Sequence, residues 1–407
     1  MSAEGPSIRV VRRLAEHWLR SLDEEPTRIL DWRDHALQTM LLASRFKATW
    51  SLAAQIALGL HQSLRQWGLY SSWVHDLEEV VGRAGDQRST LVARLYVALG
   101  ATRCAAREWE RAERALVQAR GLFRELGDGL GTAETCYELA RLAWNRGDWQ
   151  GCLALARQAW RESQAIIGPL PADLRRQRSR ILDLIGLACW RLGQFRRALP
   201  YLRRALACRP EWDRRGLGHL HHHLAVALTS LGDTGAALAH AARAQELLQE
   251  CADRPGLAHL WADLSDIYRL KNDLDAAREA LQRSYALWRE LEDPAGLADF
   301  YRHLGLLERQ AANPALARQH LEHACSLWER LGEAEEVRRC RTLLSAQPRE
   351  EARREEALRR LEALREEVRA RNPDLDDEQA QALVDRLVRD SIEQTIAEKK
   401  VRYEGRE

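Results

Sequence analysis

The chain has 407 residues, with 62 lysines and arginines against 60 aspartates and glutamates and a net charge of +2. Near-cancelling charge leaves no global field to attract nucleic acid or an anionic membrane, and no window approaches the roughly 18 apolar residues that a membrane-spanning helix needs. The eight cysteines include no C-x-x-C pair, which argues against a disulfide frame or zinc site and for free thiols in a reducing cytoplasm. Acidic residues interrupt the first thirty positions, so no secretion signal is expected. Nearly all the bases are arginine, which together with abundant Ala and Leu suits a GC-rich genome.

Residues 1–47 read as two helices, about 7–22 and 28–45, broken at Asp23-Glu-Glu-Pro26. Trp18, Leu22, Ile29, Leu30, Trp32, Leu37 and Leu41 supply an apolar face. No repeat register runs through them, and they are expected to cap the open end of the first repeat.

From residue 48 a register can be counted. Helical hairpins turn at Gly68, Arg107, Gly147, Gly193, Gly232, Asn272 and Ala312, at intervals of 39, 40, 46, 39, 40 and 40 residues. Eight residues before each turn stands Leu or Ile; one place later a small residue follows in all but the first unit, where it is His61. Five residues after the turn come Trp73, Ala112, Cys152, Ala198, Ala237, Ala277 and Ala317, again small after the first. Small residues at fixed places on both helices let two backbones approach, and a bulky side chain there would overpack the contact by roughly 1–3 kcal/mol. Asp148, Asp233, Asp273 and Asn313 follow the turn residue and are expected to cap the second helix. Asp128, Asp213, Asp253 and Asp293 hold a similar place between units. The 46-residue interval marks an insertion around Ile166–Ala172, expected to lengthen the link between repeats.

These marks resemble the tetratricopeptide repeat family. Trp261, Leu264, Ser265, Tyr268, Ala277, Leu281 and Ser284 match its pattern in one unit, and Tyr301, Leu304, Gly305, Ala317, Leu321 and Ala324 in the next. Glu308 stands where an aromatic is usual. The resemblance implies an all-α, right-handed superhelix of six to seven hairpins over residues 48–347. The roughly 40-residue period and the inter-repeat linkers are similar to arrays behind bacterial signal-transduction ATPases and in peptide-sensing regulators. No G-x-x-x-x-G-K-[ST] motif or helix-turn-helix accompanies them, so a free-standing bacterial sensor, scaffold or adaptor is implied.

Residues 348–407 are charged, 17 acids against 14 bases after Pro348, with the repeat broken at Gln347-Pro348. Leu358, Leu361, Leu364 and Val368 form a narrow stripe on a helix stopped by Asn372-Pro-Asp374. Asp376 and Gln379 could cap another helix, bearing Leu383, Val384, Leu387, Val388, Ile392 and Ile396. A solvating cap is one reading; a partner-binding arm, with self-association through 349–396, is the other.

In the family resembled, the first helix of each hairpin lines an inner groove. Carried over, the groove residues are Tyr137, Arg141, Trp144, Arg180, Asp183, Trp190, His219, His222, His259, Asp266, Arg269, Arg302 and Arg309, with Glu134 and Asp299 at equivalent places. Trp144 and Trp190 could clamp an apolar or aromatic side chain, and the arginines could receive carboxylates. The expected partner is therefore a protein or peptide segment, acidic or carrying an aromatic, with no membrane or nucleic acid and no cofactor. His219, His222 and His223 fall at i, i+3 and i+4, close enough to share a metal, with His259 as a fourth ligand. No carboxylate is apparent beside them in sequence, so a His-rich groove wall is the default over a metal-dependent hydrolase. Gly127-Asp-Gly-Leu-Gly131 follows no strand and is discounted as a phosphate loop, and no nucleophile–His–acid arrangement stands out. A non-catalytic binding scaffold is expected, with a peptide-responsive sensor acting through its terminal helices as the alternative.

Overall fold

The computed structural model describes residues 6–24, 29–66, 70–166, 171–371, 378–379, 381–386 and 388–389. Gly68, positions 167–170 of the insertion, Asp376, Leu387, Ile392 and Ile396 lie outside the described residues. Seventeen helices are delimited among the described residues, and no strand occurs among them. The chain divides into two compact units, Met1–Leu291 and Glu292–Glu407.

In the first unit, α1 (Pro6–Glu24) and α2 (Ile29–Ser44) pack on α3 (Trp50–Gln66), which pairs with α4 (Tyr70–Gly82). Five hairpins come next: α5 (Thr90–Ala105) with α6 (Trp109–Glu125), α7 (Gly129–Asn145) with α8 (Trp149–Gln164), and α9 (Ala172–Arg191) with α10 (Phe195–Cys208). The last two are α11 (Arg214–Ser230) with α12 (Thr234–Glu250) and α13 (Arg254–Leu270) with α14 (Leu274–Glu290).

The turns sit where the register puts them. Arg107, Gly147, Gly193, Gly232, Asn272 and Ala312 all have positive φ, between 60° and 81°. The chain thus reverses through one left-handed residue per hairpin, a conformation that glycine and asparagine accept most readily. Asp128, Asp148, Asp213, Asp233, Asp253, Asp273 and Asp293 each accept a backbone N–H two or three residues on, at 2.8–3.2 Å. Asn313 breaks the pattern. Its Nδ2 instead donates to Oε2 of Glu308 at 2.7 Å, and it makes no side-chain cap. A buried carboxylate at the usual aromatic place has drawn the amide away from the helix end.

Close backbone approach inside the hairpins is equally literal. A Cβ at Gly100 would lie 2.6 Å from Leu116, and one at Gly186 2.7 Å from Leu202. Ala112, Cys152, Ala198, Ala237 and Ala277 opposite are fully buried. The α3–α4 hairpin solves the same contact with large residues: buried Trp73 donates its Nε1–H to Nδ1 of His61 at 3.2 Å.

Successive first helices touch one another, α5 to α7, α7 to α9, α9 to α11 and α11 to α13, whereas successive second helices make no comparable contact. A layer tight on one side and splayed on the other curves toward the tight side. In this unit the first helices therefore form the inner wall.

The second unit pairs α15 (Pro294–Gln310) with α16 (Pro314–Leu331), and α16 with the long α17 (Ala334–Arg371). A Cβ at Gly305 would lie 2.7 Å from Leu321, the same close packing as in the first unit. Helix α17 runs straight through Pro348, so the repeat pattern ends there while the helix does not. Its described span ends at Arg371, and Asn372-Pro-Asp374, expected to stop it, lies outside the described residues. Its stripe of Leu361, Leu364 and Val368 packs on Leu383, Val384 and Val388 of the helical residues beyond. The apolar edge is covered by the chain's own next segment.

Candidate functional site

The inner wall of the first unit is built from one face of α7, α9, α11 and α13. Because each helix repeats the same apolar register, the same sequence offsets put polar side chains on this face in most units, with Ala262 and Leu184 as the exceptions. Ten residues before the turn stand Tyr137, Asp183 and His222; nine before it stand Glu138, His223 and Asp263. The structure joins the first set to the second across repeats. Asp183 Oδ1 on α9 accepts from His223 Nδ1 on α11 at 2.7 Å. His222 Nε2 on α11 donates to Asp263 Oδ2 on α13 at 2.6 Å. Arg180 on α9 lies over the Tyr137 ring of α7 at 4.6 Å and within 3.7 Å of Glu138. The result is a polar ladder with one rung per repeat.

Three of the arginines expected to receive a ligand's carboxylates are held by carboxylates on their own helices. Arg141 donates to both oxygens of Glu138 at 2.9 and 3.3 Å, and Arg269 to Asp266 at 3.1 Å. In the second unit, Arg302 is bound to Asp299 at 2.6 Å, and half-buried Arg309 lies on the same helix, α15. Adjacent opposite charge, that of Glu138 first, raises the Arg141 pKa despite burial. Glu134 is open to solvent at its tip. Crowding by protein around it and the Glu138 charge nonetheless push its carboxyl up.

The histidines divide between separate carboxylates. His219 Nε2 meets Asp253 Oδ2 at 3.0 Å, His222 meets Asp263, and His223 meets Asp183. These carboxylates come from neighbouring repeats 34 to 41 residues away, which is why no run of sequence displays them beside the histidines. Burial lowers the pKa of His222 against the pull of Asp263. At His223 burial acts downward too, but the Asp183 charge and hydrogen bond, with Asp263, outweigh it and raise the pKa. His219 and Gly256 N–H hold Asp253 down at about 2 against the effect of burial. His259 is exposed, its ring edge-on to buried Trp288 at 4.7 Å.

Trp144 and Trp190 do lie close together, but around one of the chain's own cations. The Arg191 guanidinium sits 5.5, 4.9 and 5.3 Å from the rings of Trp144, Trp149 and Trp190. Trp190 Nε1 also donates to Ser230 Oγ at 2.8 Å, tying α9 to α11. Cation–π contact of this kind is worth about 0.5–2 kcal/mol, so the box fastens adjacent hairpins.

Sequence offsets alone missed Glu138, Asp263 and Asp253. The signal for the first two was partly present: nine places before the turn stand Glu138, His223, Asp263 and His303, although Leu184 interrupts the row. A cleft of about 450 Å³ also opens between α12, α13 and α14, lined by Trp261, Leu264, Tyr268 and Arg283 among others. Arg283 covers Trp261 there at 4.6 Å.

Comparisons with known proteins agree with this architecture. Two family profiles described as tetratricopeptide repeat match residues 179–211 and 217–290. No curated protein gives a significant sequence match. Among solved structures, the fold is similar to a Rap protein complexed with competence and sporulation factor, with 15% identity over 86% of this chain and 99% of that one and a TM-score of 0.55. It is similar to a plasmid Rap conjugation gene regulator in complex with the Phr peptide, with 15% identity, 82% and 88% coverage and a TM-score of 0.56. A signal transduction ATPase with a tetratricopeptide repeat sensor, from Pyrococcus horikoshii, matches with 15% identity over 81% of this chain and 49% of that one, TM-score 0.54. Identities this low speak for the fold alone.

Proposed function

We propose, from the premise that this chain is a tetratricopeptide-repeat protein, that it is a non-catalytic receptor for a peptide or protein segment held on the inner wall of α7, α9, α11 and α13. The observation that carries this reading is the ladder from Tyr137, Glu138 and Arg180 through Asp183–His223 to His222–Asp263. It fixes polar side chains along a helix face before any ligand arrives, so the ordering cost on binding falls mainly on the ligand. Arg180, Asp183, His219, His259, Asp266 and Arg269 keep surface open to solvent along that wall. A ligand with both charged and aromatic groups suits such a mixed row.

The regulatory version of this reading draws on two Rap neighbours, crystallised with competence and sporulation factor and with the Phr peptide. In it, ligand binding on the inner wall alters an output carried by the terminal helices.

Affinity capture from the native cell with quantitative mass spectrometry tests the receptor role. Partners retained by the intact chain should be lost from an Arg269→Glu, His259→Ala double variant of unchanged helicity. A partner set identical in both would remove the inner wall as the binding surface. Deleting residues 349–407 then separates the two versions: a sensor keeps its ligand and loses its output.

A further inference from the structure

The opposite side of the first unit carries a different kind of surface. Residues 172–208, which form α9 and α10, hold nine arginines and two aspartates, a net +7 in a chain whose total is +2; five of the arginines lie on α9 of the inner wall and four on α10. The rest of the chain is therefore net −5. Helix α10 contains no acidic residue, whereas every other second helix of a hairpin carries at least one carboxylate. Its buried side is Ala198, Leu202 and Ala205. Its other side presents Arg196, Arg197, Arg203 and Arg204, all exposed.

The patch extends to α8, where Arg157 and Arg161 are also exposed. Arg204 reaches across to the Trp160 ring of α8 at 5.5 Å. Arg157 and Arg197 both act electrostatically on buried Cys189. Among the described residues, these six arginines reach no carboxylate; Arg197 meets only the Gln194 amide oxygen, at 3.4 Å. Elsewhere in this unit exposed arginines are commonly answered, as Arg88 is by Glu125 and Arg146 by Glu110 and Glu113.

Like charges gathered without local compensation repel one another, and an incoming anion relieves that repulsion. Guanidinium forks take carboxylates in pairs of parallel hydrogen bonds. We propose that the outer surface of α8 and α10 docks a short acidic polypeptide segment. A short segment fits better than a long polyanion because the surrounding chain is net negative. A duplex or long strand leaving the patch would meet repulsion. Helix α10 spans about 21 Å at ~1.5 Å per residue, a distance covered by about seven extended residues at ~3.3 Å each. This surface is separate from the inner wall, and its occupant need not be the inner-wall ligand.

The test uses the full chain, a fluorescein-labelled peptide of about eight glutamates sized to the helix, and oligothymidylate of equal charge as the second probe. Fluorescence anisotropy at low salt should show the peptide binding, with affinity falling as salt rises. Arg196→Gln, Arg197→Gln, Arg203→Gln and Arg204→Gln together should weaken it about tenfold or more. Arg111→Gln with Arg114→Gln on α6 should leave it nearly unchanged. Circular dichroism checks the fold, and the two double variants 196/203 and 197/204 replace the quadruple one if it unfolds. Tighter binding of oligothymidylate, equal loss in the α6 control, or no binding of the peptide would each overturn the proposal.

Discussion

The two sides of the first unit handle charge in opposite ways. Along α7, α9, α11 and α13 many charged groups are answered by another, either on the same helix, as Arg141 by Glu138, or on the next repeat, as His223 by Asp183. Along α10 four arginines stand exposed with no carboxylate reaching them among the described residues. The difference comes from spacing. First helices pack against one another, so side chains from successive repeats come within hydrogen-bond range. Second helices are splayed, and charges there meet across repeats less closely, as where Arg124 of α6 comes only within 4.0 Å of Glu162 of α8. An inner-wall ligand would meet an already ordered row; an outer ligand would itself supply the missing charge.

This contrast between the two sides predicts unequal responses to mutation. The largest belongs to Asp263→Ala, which strands the buried His222 nitrogen and should destabilise the first unit by about 1–3 kcal/mol in urea unfolding. Loss below a few tenths would mean that the rung contributes nothing. Next, a double-mutant cycle on Asp183→Ala and His223→Ala should return a coupling of about 0.5–2 kcal/mol. Additive effects would show the two residues to be independent.

Acid should then separate the histidines. Burial, His240 and Arg243 lower the His221 pKa from 6.5 to about 4, so the folded chain favours its neutral form. Its contribution is present above the ordinary histidine pKa and fades as pH falls toward 4. His223 has the opposite sign: its raised pKa adds stability below the ordinary value, and that stability is lost as pH rises through the raised one. Melting temperature should therefore fall between pH 7 and 5 less in His221→Gln than in the parent chain. An unchanged pH profile would remove His221 from the acid response. The smallest effect is expected for Arg196→Gln with Arg203→Gln, which should shift stability by less than about 0.5 kcal/mol. A large loss would mean these arginines hold the fold rather than face solvent.

Much of the architecture could be read from spacing. Turn residues from Arg107 to Ala312 adopt positive φ at the counted places, and the aspartate caps close as expected. These are local matters, settled within three or four residues. Asn313 departs because Glu308, five residues earlier, competes for its amide. In the α3–α4 hairpin His61 and Trp73 break the small-residue rule, yet they are complementary to each other. The candidate site was legible only as a list of positions. Trp144 and Trp190 were found as a pair, but Arg191 between their rings was not, because its place depends on how α7, α8 and α9 pack.

By itself, the sequence determined that this chain is all helix, where its hairpins turn and which helix faces are buried, since each depends on periodicity and on residues a few places apart. Only the tertiary structure decided which charges are paired. His222 and Asp263 are 41 residues apart, and His223 and Asp183 are 40 apart. Such partners meet because identical hairpins stack with the same offset, and contact between first helices brings one repeat's polar face within reach of the next.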